Sequence, residues 1–153
     1  MNHEAISQIF FAERYTVTAD ETAQCLFQRL QHGGEYASLL VDAMSTGHLL
    51  ALLESLCLRE MHRYIDSDAE VVVGNAIEFR HCAPIPRGAE LTIRGWVEGI
   101  GEREATFYLQ AHDEHEKVCE GTLRLVVARR AEFARRIDRK CATIARREQL
   151  FVA

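Results

Sequence analysis

Between Leu49 and Leu58 the chain places apolar side chains nearly all the way round a helical projection. A helix with that pattern is expected to be surrounded by protein rather than to lie on a surface. Ser45, Thr46 and Gly47 precede it, and a hydroxyl there suits an N-cap because it accepts from the free N–H groups of the first turn. Polar residues return at Arg59, Glu60, His62 and Arg63, so the helix is expected to emerge and to end near Tyr64. Elsewhere the period changes from helical to two. Ile9 to Thr18 carries Phe10, Phe11, Tyr15 and Val17 and reads as a strand. Thr22 to Leu30 reads as a short helix broken at Gly33-Gly34.

Four further strands follow the long helix. In the first, counting by twos puts Val71, Val73, Asn75, Ile77, Phe79 and His81 on one face. Pro84 to Gly88 is a turn, and Ala89 to Glu98 is the next strand, with Leu91, Ile93 and Val97 inward. Gly99 to Gly101 turns into a strand over residues 104–112, and a polar hairpin at 113–117 leads to the last one, 118–128. Short connections predict an antiparallel meander. Phe133, Ile137, Cys141 and Ile144 recur at helical spacing and predict a C-terminal amphipathic helix over about 131–148. The fold class is therefore α+β, an antiparallel sheet wrapped around a long central helix, which is the hotdog arrangement. Such a sheet keeps an open edge, and open edges pair. A homodimer, or a tetramer made of two dimers, is expected.

At 153 residues the chain fits a single domain, 1–153. Its net charge of -5 argues against a nucleic-acid partner. The charge is uneven: eight of the 18 Lys and Arg residues fall between Arg129 and Arg147, against only Glu132 and Asp138. That stretch is either a solvated helix face or a site for a local anion. Five scattered cysteines with no Cys-x-x-Cys spacing point to free thiols in a reducing cytoplasm. No apolar run is long enough to span a membrane. His112-Asp113-Glu114-His115 falls on a hairpin and reads as a solvated turn, so no metal is expected.

Three residues carry candidate chemistry. Glu54 stands mid-helix among Leu50, Leu52, Leu53, Leu56 and Cys57, where a carboxylate costs free energy unless it is paired or hydrogen-bonded. It is either a structural acid tied to a backbone N–H or an arginine, or a functional one. His81 lies on the strand face expected to meet the helix; alone it reads as a core histidine, beside Glu54 as half of a pair. Thr46 reads as part of an N-cap, yet a helix N-terminus also offers positive potential to a developing oxyanion, and Gly47 would admit a ligand close to that backbone. Thr46 and Glu54 are eight residues apart, about 12 Å along a straight helix at ~1.5 Å per residue. One way to unite them is a dimer whose antiparallel central helices set one N-terminus against the other's middle.

At these residues the sequence resembles hotdog-fold acyl-CoA thioesterases, and within them the fluoroacetyl-CoA thioesterase-like group. The matching positions are Thr46, Glu54, Gly74, His81, Ala83 and Gly88, with Arg135 to Lys140 similar to the group's C-terminal helix. The resemblance implies thioester hydrolysis, with Thr46, Glu54 and His81 catalytic. In that analogy Glu54 attacks the carbonyl or activates water, His81 orients and protonates, and Thr46 holds the pair or the acyl oxygen. Ser45, Gly47, Gly74 and Asn75 are the expected substrate-facing positions. The expected partner is acyl-CoA or another acyl thioester, with no cofactor and phosphates bound by the basic C-terminal stretch. Ser45 stands where the group usually has Ala, Asn75 where Thr is usual, and Cys82 follows His81; these departures imply a different acyl group or a changed activity. The alternatives are a non-catalytic hotdog module that binds acyl-CoA or another small apolar ligand, and, ranked lower, a hotdog hydratase.

Overall fold

Ser45 starts the central helix as its spacing predicts: its hydroxyl accepts from the His48 N–H and caps α4, Thr46–Met61. The computed structural model describes residues 1–30 and 34–151. Before α4 come α1 (His3–Ser7), β1 (Phe10–Thr16), α2 (Ala23–Gln28) and α3 (Gly34–Ala37). After it come β2 (Glu70–His81), β3 (Glu90–Ile100), β4 (Glu104–His112), β5 (Lys117–Arg129) and α5 (Arg130–Phe151). Thr22 caps α2. Gly33, expected to break the helix after it, lies outside the described residues. The short α1, capped by Asn2, has no counterpart in the sequence reading.

The five strands form one antiparallel sheet in the order β1-β3-β4-β5-β2. This corrects the expected four-strand meander. Only β3, β4 and β5 follow one another; β2 leaves β3 and pairs with β5 at the far edge. The connection from Cys82 to Ala89 crosses the end of the sheet because Ile85 in its middle is an anchor. Ile85 is fully buried, its carbonyl accepts from the Met44 N–H, and Pro86 bridges to Ala43. Gly88 closes the turn at φ 87°, where a side chain would be strained.

One face of α4 lies in the core. Leu49, Leu53, Leu56, Cys57 and Met61 join Ile93, Phe107, Leu109 and Leu125 from the sheet. The opposite face is open, with Ala51 and Ser55 exposed and Leu50, Leu52 and Leu58 half-buried. Within one chain the helix is therefore covered on one side, where the apolar pattern predicted cover all round. Glu60 differs from expectation in the other sense. It is buried, not emergent, and is held by Arg59 and Arg63, which leave its charge paired.

The inward face of β2 also differs from the count by twos. Gly74 lies opposite Leu125 and Ala76 opposite Arg124, so Asn75 is an extra residue. It forms a β-bulge, which moves the side-chain alternation by one. Val72, not Val71 and Val73, is the buried residue before the bulge. Ile77, Phe79 and His81 keep the inward parity after it.

Candidate active site

Thr46 belongs to the first turn of α4 and His81 to the last position of β2, paired with Cys119. Their side chains meet, with Oγ1 and Nδ1 3.0 Å apart. The other ring nitrogen, Nε2, is buried and has no partner among the described residues. Burial lowers the His81 pKa from its ordinary value, and the backbone at Ala83 offsets this in part. The ring is therefore neutral near pH 7. When the Thr46 hydroxyl donates to Nδ1, the ring proton sits on Nε2, the atom without a partner. Thr46, His81, Cys82, Ala83 and Pro84 line one cleft of about 360 Å³.

Glu54 lies two turns further along α4 and lines a different cleft, about 310 Å³, with Leu50, Gly74, Asn75, Ala76, Ile77 and Leu123. It is half-buried and makes no hydrogen bond or ion pair with the described residues. Gly74 explains how it fits: a Cβ on Gly74 would overlap Glu54 Oε1. The missing side chain is the space the carboxylate occupies. No bond joins Glu54 to His81 within the chain, so the expected pair does not form there. A straight helix separates their neighbourhoods, as the spacing of Thr46 and Glu54 required.

The remaining expected positions have mixed surroundings. Asn75, the bulge residue, lines the Glu54 cleft. Ser45 is buried, its hydroxyl taken by the His48 N–H and 3.0 Å from His48 Nδ1. Its own N–H donates to the Glu21 carbonyl. A Cβ on Gly47 would stand 3.3 Å from Leu26 Cδ2, so that glycine admits α2 close to α4. Cys57, on the buried face next to Glu54, is no rival nucleophile. Burial foremost, then Glu54 and Glu60, pushes its thiol pKa up. The Cys119 thiol is pushed up to about 12, mainly by burial.

Sequence reasoning missed the bulge and the walls Leu50, Ile77 and Leu123. One signal was present. Gly74 and His81 are seven residues apart, an odd spacing, so an unbroken strand would send them to opposite faces. Both can face α4 only if the strand gains a residue between them.

A five-stranded antiparallel sheet packed on one long helix is the architecture of the hotdog class. The model of the fluoroacetyl-CoA-specific thioesterase family matches residues 18–131. A fluoroacetyl-CoA thioesterase of Streptantibioticus cattleyicolor is 24% identical over 130 residues, 85% of this chain and 90% of that protein. A solved structure of the fluoroacetyl-CoA thioesterase FlK is similar with a TM-score of 0.76 at 23% identity, covering 86% of this chain and 94% of that one. A hot-dog-like protein from Thermanaerovibrio acidaminovorans has the same TM-score at 19% identity, covering 92% of this chain and 97% of its own. The chain belongs to the fluoroacetyl-CoA-specific thioesterase family, and with it to the acyl-CoA thioesterases.

Proposed function

We propose that residues 1–153 act as one unit in a cytoplasmic homodimer that hydrolyses a short acyl-CoA between its subunits. Glu54 comes from one chain, and the partner's Thr46 and His81 complete the site. The observation that carries this reading is the division of the chemistry within one chain. The carboxylate lies in one cleft and the Thr–His pair in another, about 12 Å away along the axis. A single acyl carbon is too small to touch both. The free edge of β2 supplies the remedy. β2 pairs only with β5 among the described strands, and Gly74 to Glu78 are exposed in succession. Antiparallel pairing of two β2 strands centred on Glu78, with Asn75 again the extra residue, sets Gly74 opposite the partner's His81. The Glu54 carboxylate, seated over Gly74, then faces the partner's unpartnered Nε2.

The chemistry follows from these groups. The thioester carbonyl carbon lies against Glu54, whose carboxylate either attacks it or removes a proton from a water that does. In the first route an anhydride forms, the carbon–sulfur bond breaks, and water later releases the acid. In both routes the N–H at Nε2 of His81 faces the leaving sulfur and donates a hydrogen bond to its developing negative charge, so that it departs as a thiolate that solvent protonates. Thr46 holds the tautomer that keeps that proton in place. Leu50, Ile77 and Leu123 wall a cleft of about 310 Å³, which fits an acyl group of a few carbons. The five free cysteines favour the reducing cytoplasm.

Free-thiol release from short, medium and aromatic acyl-CoAs is the test. One short acyl class should be cleaved, and Glu54→Gln and His81→Ala should each lower kcat about a hundredfold or more without changing the melting temperature. Wild-type activity in both variants refutes the site. Acyl-CoA binding with no release of thiol makes the protein a binding module. Label found in Glu54 after a single turnover in ¹⁸O water identifies the anhydride route, with water attacking the Glu54 carbonyl carbon.

A further inference from the structure

The acyl cleft accounts for the small end of the substrate and leaves the rest of coenzyme A unexplained. Coenzyme A carries a pyrophosphate and a 3′-phosphate, and anions of that charge density need cations that carboxylates do not already hold. The charge map of the chain is polarised. Between Arg129 and Arg147 eight cations face two acids, a net of +6, which leaves -11 for the rest of a chain whose total is -5. A cationic island on an acidic body concentrates anions locally.

That island has a shape. At the root of α5, where β5 passes into the helix, a groove of about 570 Å³ is lined by Arg103, Arg129, Arg136 and Arg139, by Glu102 and Glu132, and by Phe133. Two of the four guanidinium groups are engaged. Arg103 pairs with Glu70 and donates to the Val127 carbonyl, and Arg129 pairs with Glu132. Arg130, at the first position of α5, is spent on the carbonyls of Ser67 and Glu70, which fix the root of the helix. Arg136 and Arg139 form no ion pair with the described residues, and both are exposed. They stand three apart on α5, hence on one face. Lys140 continues that face beside Thr143. Half-buried Phe133 gives the same groove an aromatic surface against which a purine ring can lie.

The strand β5 serves as a ruler between the two places. Leu123 lines the acyl cleft and Ala128 the cationic groove. Five residues of strand span about 17 Å at ~3.3 Å per residue. The pantetheine arm, from sulfur to the first phosphorus, reaches about 15 Å when extended, judged from the ~3.5 Å covered by every three backbone bonds of an extended peptide. The separation therefore matches the length of the linker. We infer that Arg136 and Arg139, in the second and third turns of α5, bind the phosphates of the 3′-phosphorylated adenosine diphosphate end of coenzyme A. This rests on the thioesterase reading for its substrate, and on the groove alone for its anion site. Arginine suits the task because its planar fork takes a phosphate through two parallel charge-assisted hydrogen bonds.

The experiment compares two thioesters of one acyl group, acyl-CoA and acyl-pantetheine, the second lacking the nucleotide. In the Arg136→Ala/Arg139→Ala double variant, KM for acyl-CoA should rise about tenfold or more with kcat unchanged. KM for acyl-pantetheine should stay at its wild-type value. The Lys/Lys variant at the same positions should recover part of the loss by retaining charge. Titration of the protein with 3′,5′-ADP in a calorimeter needs no turnover. Wild type should bind it, more weakly as salt is raised, and the double Ala variant should not. An unchanged KM for acyl-CoA, or an equal rise for both thioesters, overturns the assignment. Binding of 3′,5′-ADP through these arginines by a protein that cleaves nothing keeps the groove and refutes the thioesterase reading. Turnover with undiminished 3′,5′-ADP binding in the variant does the reverse.

Discussion

Two side chains carry tests at the scale of single residues. His81 has its pKa lowered below 6.5, chiefly by burial. The neutral ring is the form that both accepts from Thr46 and presents a proton at Nε2. kcat/KM is therefore expected to be flat near neutrality and to fall as pH drops through that lowered value. A profile controlled by a His pKa above 6.5 speaks against this. Stability has the same sign. With the folded pKa depressed, the unfolded chain binds the proton first. The His81 contribution is complete above about pH 6.5 and is lost as pH falls toward the folded value, which denaturant melts at stepped pH will read. Gly74→Ala is the second test. The new methyl meets the far end of a flexible carboxylate, not backbone, so the melting temperature should change by only a few degrees. The Glu54 carboxylate must leave its seat, and kcat should drop by at least tenfold. A fully active Gly74→Ala variant removes Glu54 from the chemistry.

Among the elements, β2 decides the geometry. Its bulge at Asn75 lets Gly74 and His81, seven residues apart, both face α4. Deleting Asn75 while keeping the turn before β3 restores a plain alternation. Ile77, Phe79 and His81 then turn outward, and the His81 imidazole becomes accessible to diethyl pyrocarbonate as activity disappears. Asn75→Ala keeps the residue count and should leave His81 protected. The pairing of β2 with β5 also has no room to spare. A Cβ on Gly121 would run into the Glu78 carbonyl and the Phe79 backbone and ring. Backbone yields less than a carboxylate tip does. Gly121→Ala should therefore cost about 1–3 kcal/mol, seen as a lower denaturation midpoint. The contrast between Gly74 and Gly121 separates a glycine kept for a functional group from one kept for strand contact.

For the whole molecule the question is whether one chain holds a complete site. With Glu54 and the Thr–His pair in separate clefts, mixing inactive variants gives a direct answer. A heterodimer of Glu54→Gln and His81→Ala chains has one site with both changes and one with neither. Random reassociation should restore about a quarter of wild-type activity, since about half the dimers are mixed and each has one intact site. Sites contained within single chains would show no recovery at all. Ile77 is 44% exposed at the free edge of β2, so Ile77→Glu should give monomers by sedimentation and no turnover. On α5, Ile137 and Ile144 are 48% and 56% exposed, and the helix is in contact with β5 and β2.

The central helix, the five strands in chain order and the C-terminal helix were legible in the sequence, as were Thr46, Glu54 and His81 as candidates; the short α1 was not. Local rules set them: a hydroxyl cap before an apolar helix, period-two strands, a carboxylate stranded among leucines. Strand order was not legible, because Ile85 directs the β2–β3 connection across the sheet by its burial, a long-range packing energy that no local period records. The bulge at Asn75 was hidden for a related reason. A bulge exists only relative to the partner strand, and the contact it sets up, Gly74 against the Glu54 carboxylate, joins residues twenty apart in sequence. The sequence determined which groups are present and which helix and strands bear them. The tertiary structure alone decided that Thr46 meets His81, that Glu54 stands apart from both over Gly74, and that one face of the helix and one edge of the sheet are left open. Those are distances between remote parts of the chain, and packing sets them.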